Sequence, residues 1–110
     1  MVRQQREATV FQAIACPTRR ALLDALMGGE RNVTALVGEL DVTQSAVSQQ
    51  LTILKSAGLV EERQEGRFRY YRLRAKPLTE VTDWMAQFHA HLEKQLDTLG
   101  DVLDEMEDDE

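Results

Sequence analysis

The chain has 110 residues, 43% hydrophobic and 29% charged, which bounds it to one soluble domain with a modest core. Its net charge of −6 is uneven: the last ten residues, DVLDEMEDDE, hold seven acids and no base, and without them the other hundred carry +1. One cysteine excludes an intrachain disulfide framework, and no apolar run is long enough for a signal-peptide core or a membrane span, so the expected location is the reducing cytoplasm.

A first helix is expected from Gln4 to Ala15, with Val10, Phe11 and Ile14 on one side. That apolar face is thin for an internal helix, so it is expected to pack partly against another subunit. Pro17, suited to a first helical position, opens a second helix to Met27, with Leu22, Leu23 and Leu26 inward and Gly28-Gly29 ending it. Arg19 and Arg20 lie near that helix's N-terminus, where the dipole disfavours cations. Each therefore wants an anionic partner, either a phosphate or a carboxylate in a surface salt bridge. Arg20 is read as an outlying phosphate contact. Cys16 sits just before Pro17, at a helix N-terminus that can lower a thiol's pKa. Cysteine is also simply a small, buryable residue.

Gly28 to Asn32 reads as a turn leading into a short strand around Val33. The stretch from Asn32 to Leu59 then carries two apolar periodicities. Val33, Leu36, Val37 and Leu40 are at helical spacing, Asp41-Val42-Thr43 interrupts them, and Val47, Leu51 and Leu54 resume. Thr43 suits the N-cap of the second of these helices, and Ser56-Ala57-Gly58 supplies its stop. Two short helices joined so tightly form a helix-turn-helix. With Val47, Leu51 and Leu54 inward, Gln44, Ser45, Ser48, Gln49 and Thr52 face outward. That face carries no carboxylate, and its amides and hydroxyls can meet base edges and phosphates.

Leu59–Gln64 and Arg67–Arg74 read as two strands about a Glu65-Gly66 turn. From Arg63 to Lys76 there are six basic residues (Arg63, Arg67, Arg69, Arg72, Arg74, Lys76) against one acid, Glu65. An arginine-tipped hairpin after a helix-turn-helix is a wing, able to clamp phosphates. Base contacts are assigned to Gln44, Ser45, Ser48 and Gln49, and phosphate contacts to Thr43, Arg63, Arg67 and Arg69. Phe68, Tyr70 and Tyr71 lie among these arginines; aromatic interleaving can mean base stacking, but on a hairpin it more often means packing.

Pro77 separates the wing from a long final helix. Leu78, Val81, Met85, Phe88, Leu92, Leu96, Leu99 and Leu103 step along it by threes and fours, a near-heptad seam. So much apolar surface on so short a chain calls for a second copy. The expected dimer contacts are Val10, Phe11, Ile14, Val81, Trp84, Met85, Phe88, Leu92 and Leu96. Residues 1–100 form the binding and dimerisation domain, and 101–110 an acidic, solvated tail. The fold class is mainly α with a small antiparallel hairpin: a winged helix-turn-helix, α-α-α-α-β-β-α.

The residues of Ala15-Cys16-Pro17-Thr18-Arg19-Arg20, Leu36-Val37, Val47-Ser48-Gln49-Gln50-Leu51, Leu54, Ala57-Gly58-Leu59-Val60, Gly66-Arg67 and Tyr71-Arg72-Leu73 together resemble the ArsR/SmtB family of winged-helix repressors. The resemblance covers most of residues 8 to 90. It implies a homodimer that binds double-stranded DNA and leaves its operator when a signal arrives. Asp41 stands where the family commonly has Gly, a mild departure because Asp tolerates left-handed geometry. Relatives often sense metals through cysteines in the first helix of the motif, or through Asp, His and Glu on the last helix. Residues 33–40 hold no Cys or His. His89 and His91, two apart, are roughly 200° apart around a helix and cannot chelate one ion. His89, Glu93 and Asp97 share a face, which reads as a solvated surface. No cofactor, metal or membrane partner is expected, and an inducer is not identified. With one Cys, two ill-spaced His and no phosphate loop, no catalytic site assembles. Two alternatives to a plain repressor remain: a redox-responsive repressor using Cys16, and a winged-helix module that binds protein instead of DNA.

Overall fold

The computed structural model describes residues 8–108, in two compact units that meet at Thr79 and Glu80. In the first unit, α1 (Val10–Ala13) opens with a capping box, Thr9 and Gln12 satisfying each other's backbone N–H groups. The expected start at Gln4 falls on residues outside the described ones. Helix α2 (Pro17–Leu26) begins at its proline as expected, and Leu22, Leu23 and Leu26 are buried. Helices α3 (Val33–Leu40) and α4 (Gln44–Ser56) follow, and Leu36, Val47, Leu51 and Leu54 join the same core with no exposed surface. The 3.6-residue repeat of leucine and valine holds all three helices to one centre.

The sheet has three antiparallel strands in the order β1-β3-β2, with β1 at Arg31–Asn32, β2 at Val60–Glu65 and β3 at Phe68–Leu73. The short strand expected around Val33 lies just before it, because Asn32 caps α3 and commits Val33 to helix. Glu65 pairs with Phe68, so the hairpin turns on Gly66-Arg67 and not on Glu65-Gly66. Gly66 takes the positive φ of 62° that the first position of such a turn demands. The shift places Arg67 at the tip itself. Pairing fixes two faces on the hairpin. Val60, Glu62 and Gln64 with Leu73, Tyr71 and Arg69 form the core side. Glu61, Arg63 and Glu65 with Arg72, Tyr70 and Phe68 form the outer side.

A 3₁₀ turn at Lys76–Leu78 leads to the second unit. The single long helix expected there is two, α5 (Thr79–Ala86) and α6 (His89–Asp108). At the break the Gln87 side-chain amide donates to the Trp84 carbonyl (3.0 Å), and the Phe88 N–H bonds instead to Met85 (2.9 Å). The backbone of α6 continues past residue 100, where the sequence set off an acidic tail. The side chains of 101–110, Leu103 of the seam among them, lie outside the described residues.

Candidate nucleic-acid interface

Local caps start both helices of the motif, and a left-handed residue turns the chain between them. Asn32 Oδ1 accepts from the Ala35 N–H (2.8 Å) to start α3, and Thr43 Oγ1 accepts from the Ala46 N–H (3.0 Å) to start α4. Between them Asp41 adopts left-handed geometry (φ 56°, ψ 46°), the conformation expected from its place in the motif. With Val47, Leu51 and Leu54 sealed in the core, Gln44, Ser45, Ser48, Gln49 and Thr52 are all exposed. The Thr52 hydroxyl donates back to the Ser48 carbonyl (3.0 Å), leaving the other four side chains to define the outer face.

That face meets the wing. One cleft is lined by Asn32, Val33 and Thr34 at the start of α3, by Gln44 and Ser48 of α4, and by Arg67, Phe68 and Arg69 at the hairpin tip. Ser48 and Arg67, predicted from separate motifs, therefore share a concavity. Thr43, Ser45 and Gln49 are exposed on the same helix and its cap but do not line the cleft. Arg63 and Arg20 are not part of it. Arg63 lies on the hairpin's outer side, forks onto both oxygens of Glu30 (2.7 and 3.2 Å), also pairs with Glu65, and stacks over Tyr70 at 4.8 Å. Arg20 donates to the Ile14 carbonyl (2.8 Å) and borders a different, apolar cleft with Leu23, Met27, Leu73 and Leu78.

The six-to-one basic count over 63–76 overstated the wing's field, because Glu61 and Glu62 fall just before that window. Glu61 bonds both Arg72 and Arg74, and these contacts hold its carboxyl below the usual range. Glu62 takes Lys55 at 2.7 Å and the Arg69 Nε at 3.4 Å, and the Lys55 hydrogen bond lowers its pKa. Glu30 is lowered by its hydrogen bond from Arg63. Among the described residues Arg67 enters no ion pair, so the uncompensated charge of the wing is concentrated at its tip. Tyr71 is buried and Tyr70 is covered by Arg63, as packing residues should be. Phe68 departs from that expectation and is 47% exposed.

Sequence reading missed the role of Arg19. Its Nε and Nη2 donate to the carbonyls of Ala13 (2.8 Å) and Gln12 (3.0 Å), and its Nη1 to Gln50 Oε1 (2.6 Å). The cation that α2's dipole disfavours thus bonds two carbonyls at the end of α1 and ties them to the middle of α4. Nearby, half-buried Cys16 occupies the N-cap of α2 without a side-chain cap bond. The backbone N–H of Arg19, then that of Thr18 and the Arg19 charge, hold its thiol below the ordinary value against partial burial. Among the described residues no three His, Cys, Asp or Glu side chains gather to hold a metal ion, and His89 pairs with Glu93 at 3.2 Å.

The expected dimer contacts divide. Val10 is 4% exposed within its own chain. Ile14 and Val81 are half-buried, and Phe11, Trp84, Met85, Phe88, Leu92 and Leu96 are exposed.

The profile of the family described as bacterial regulatory protein, arsR family, matches residues 16–62, the segment that holds α2, the helix-turn-helix and the first wing strand. The chain is 35% identical over 79 residues to the transcriptional repressor SdpR of Bacillus subtilis, covering 72% of this chain and 88% of that one. The chain belongs to the ArsR family of transcriptional regulators. Another ArsR-family relative, the transcriptional repressor SmtB homolog of Synechocystis, is 45% identical over 69 residues, which are 63% of this chain and 52% of that one. The structure of an ArsR-like transcriptional regulator from Rhodococcus superposes with a TM-score of 0.68 at 25% identity, covering 87% of this chain and 88% of that one. The winged helix-turn-helix is thus the ArsR fold, its relatives are regulators and not enzymes, and DNA is the partner class on which such regulators act. No described helix of this ArsR-family chain is long and apolar enough to cross a membrane.

Proposed function

We propose that the protein is a homodimeric repressor that reads an inverted-repeat operator with α4 and grips the flanking phosphates with its wing tip. The observation that carries this reading is the shared cleft of Ser48, Gln44, Arg67 and Arg69. A helix face of short amides and hydroxyls is suited to base edges in a major groove, and an arginine without a carboxylate partner is suited to phosphate. Gln44, Ser45, Ser48 and Gln49 are the base-reading set, with Thr43, Arg67 and Arg69 on the backbone. Arg63 and Arg20 drop out because intramolecular partners hold them on other surfaces. The exposed apolar side chains of α5 and α6 are the surface a second copy covers. Two-fold symmetry then presents two α4 helices to successive major grooves about 34 Å apart. A protein-docking module has no use for a cleft joining a carboxylate-free helix face to an unpaired arginine.

The test is selection of binding sites from random duplex DNA, followed by salt titration of the selected site. The selected sequence is expected to be an inverted repeat, and Arg67→Ala to weaken binding to all duplexes while flattening the salt slope by about 1. An unchanged slope would remove the wing from the interface.

A further inference from the structure

Phe68 occupies a place for which the fold gives no reason. Its pairing with Glu65 closes the hairpin, so it stands at the tip beside the Gly66-Arg67 turn, away from the buried Tyr71. Its ring meets Tyr70 only at a tilted 6.5 Å and stays 47% exposed, yet it lines the cleft shared by Ser48, Gln44, Arg67 and Arg69. A large, half-exposed apolar side chain thus lines the same cleft as Arg67 and Arg69, on the surface assigned to DNA. The chemistry of that arrangement matches a minor groove, where apolar deoxyribose edges lie between two rows of phosphates.

We infer that Phe68 is a DNA-contacting residue of the wing, its ring packed on deoxyribose in the minor groove next to the major groove that α4 enters. The inference rests on the DNA-binding reading given above and adds an apolar anchor to it. Arginine contacts release counterions and weaken with salt, whereas burial of a ring does not. Phe68 therefore contributes affinity that is independent of ionic strength. Covering the half of the ring now in solvent is worth about tenfold in affinity. The structural alternative is that Phe68 merely props Tyr70 and, through it, Arg63.

The experiment compares the full chain with Phe68→Ala, Phe68→Leu and Arg67→Ala on one duplex carrying the selected site, across a salt series, with thermal melting of each protein. Phe68→Ala is expected to bind about tenfold more weakly with the salt slope of wild type, and Phe68→Leu to recover most of the loss. Arg67→Ala marks the contrasting electrostatic signature. Equal affinity of Phe68→Ala and wild type overturns the inference. So does a Phe68→Ala slope that flattens as Arg67→Ala does, because the ring would then be positioning arginines. A loss that Phe68→Leu fails to recover, with melting lowered alike in both variants, assigns the residue to the hairpin's stability and also overturns it. A wild-type chain that selects no DNA takes down the parent reading as well, which separates the two failures.

Discussion

Arg63 and Arg67 are four positions apart on one hairpin, and their surroundings give them different tasks. The Glu30 and Glu65 carboxylates hold Arg63 and the Tyr70 face lies beneath it, so transferring it to a phosphate means breaking contacts already made. Arg67 has none to break. The same logic of local partners applies to Cys16. Its thiol is stabilised as thiolate by the N–H groups that open α2, so its folded pKa lies below that of the unfolded chain. At a pH between the two values the folded protein carries more thiolate, and this excess disappears as pH falls through the folded pKa. Alkylation of Cys16 by iodoacetamide, followed against pH, should therefore show its midpoint below that of the urea-unfolded chain. Coincident midpoints would mean that the helix N-terminus does not act on the thiol, and a redox role would lose its chemical basis.

At the scale of elements, what the sequence revealed depended on whether a pattern was local. The helix-turn-helix was legible because Val47, Leu51 and Leu54 repeat at helical spacing and Thr43 and Asp41 carry their own cap and turn chemistry. The hairpin was legible in kind, but its turn lay one residue on, since Glu65-Gly66 and Gly66-Arg67 both place the glycine in a two-residue loop. The break between α5 and α6 was not legible: no Pro or Gly marks it, and it comes from the Gln87 amide taking the Trp84 carbonyl. Arg19 was hidden for a related reason, because its partners belong to α1 and α4 and meet only in the folded chain. Its three hydrogen bonds hold α4 to the end of α1. Arg19→Ala is expected to lower unfolding free energy by about 1.5–3 kcal/mol in urea titration, the range for partly buried bonds to a charged group. Gln50→Leu removes only one of the three and should cost less. Equal stability of Arg19→Ala and wild type would show that the clamp does not hold α4 in solution.

For the whole molecule the deciding quantity is apolar surface. Within the second unit Trp84, Met85, Phe88, Leu92, Leu96 and Leu99 are each between 41% and 67% exposed, while the first unit buries Leu22, Leu26, Leu36, Leu51, Leu54 and Leu59 almost completely. Six such side chains on two consecutive helices and the break between them exceed what scattered surface residues explain, and closed two-fold pairing is the commonest way to cover them. DNA recognition makes the same demand from the other direction. One α4 with one unpaired wing arginine offers few contacts, and a linked second site raises avidity through effective concentration with no new contact. Leu92→Glu, which sets a carboxylate among these side chains without touching the cleft, should convert a sedimenting dimer to monomer. The monomer should keep its thermal transition, because the first unit's core does not include Leu92. Its affinity for the full inverted repeat should fall by at least about a hundredfold, towards that of an isolated half-site, for which wild type and variant should compare more closely. A Leu92→Glu chain that remains dimeric and protects both half-sites would put the subunit contact elsewhere. One that is monomeric yet binds the full site as wild type does would mean that a single α4 and wing suffice, and the inverted repeat would have no physical basis.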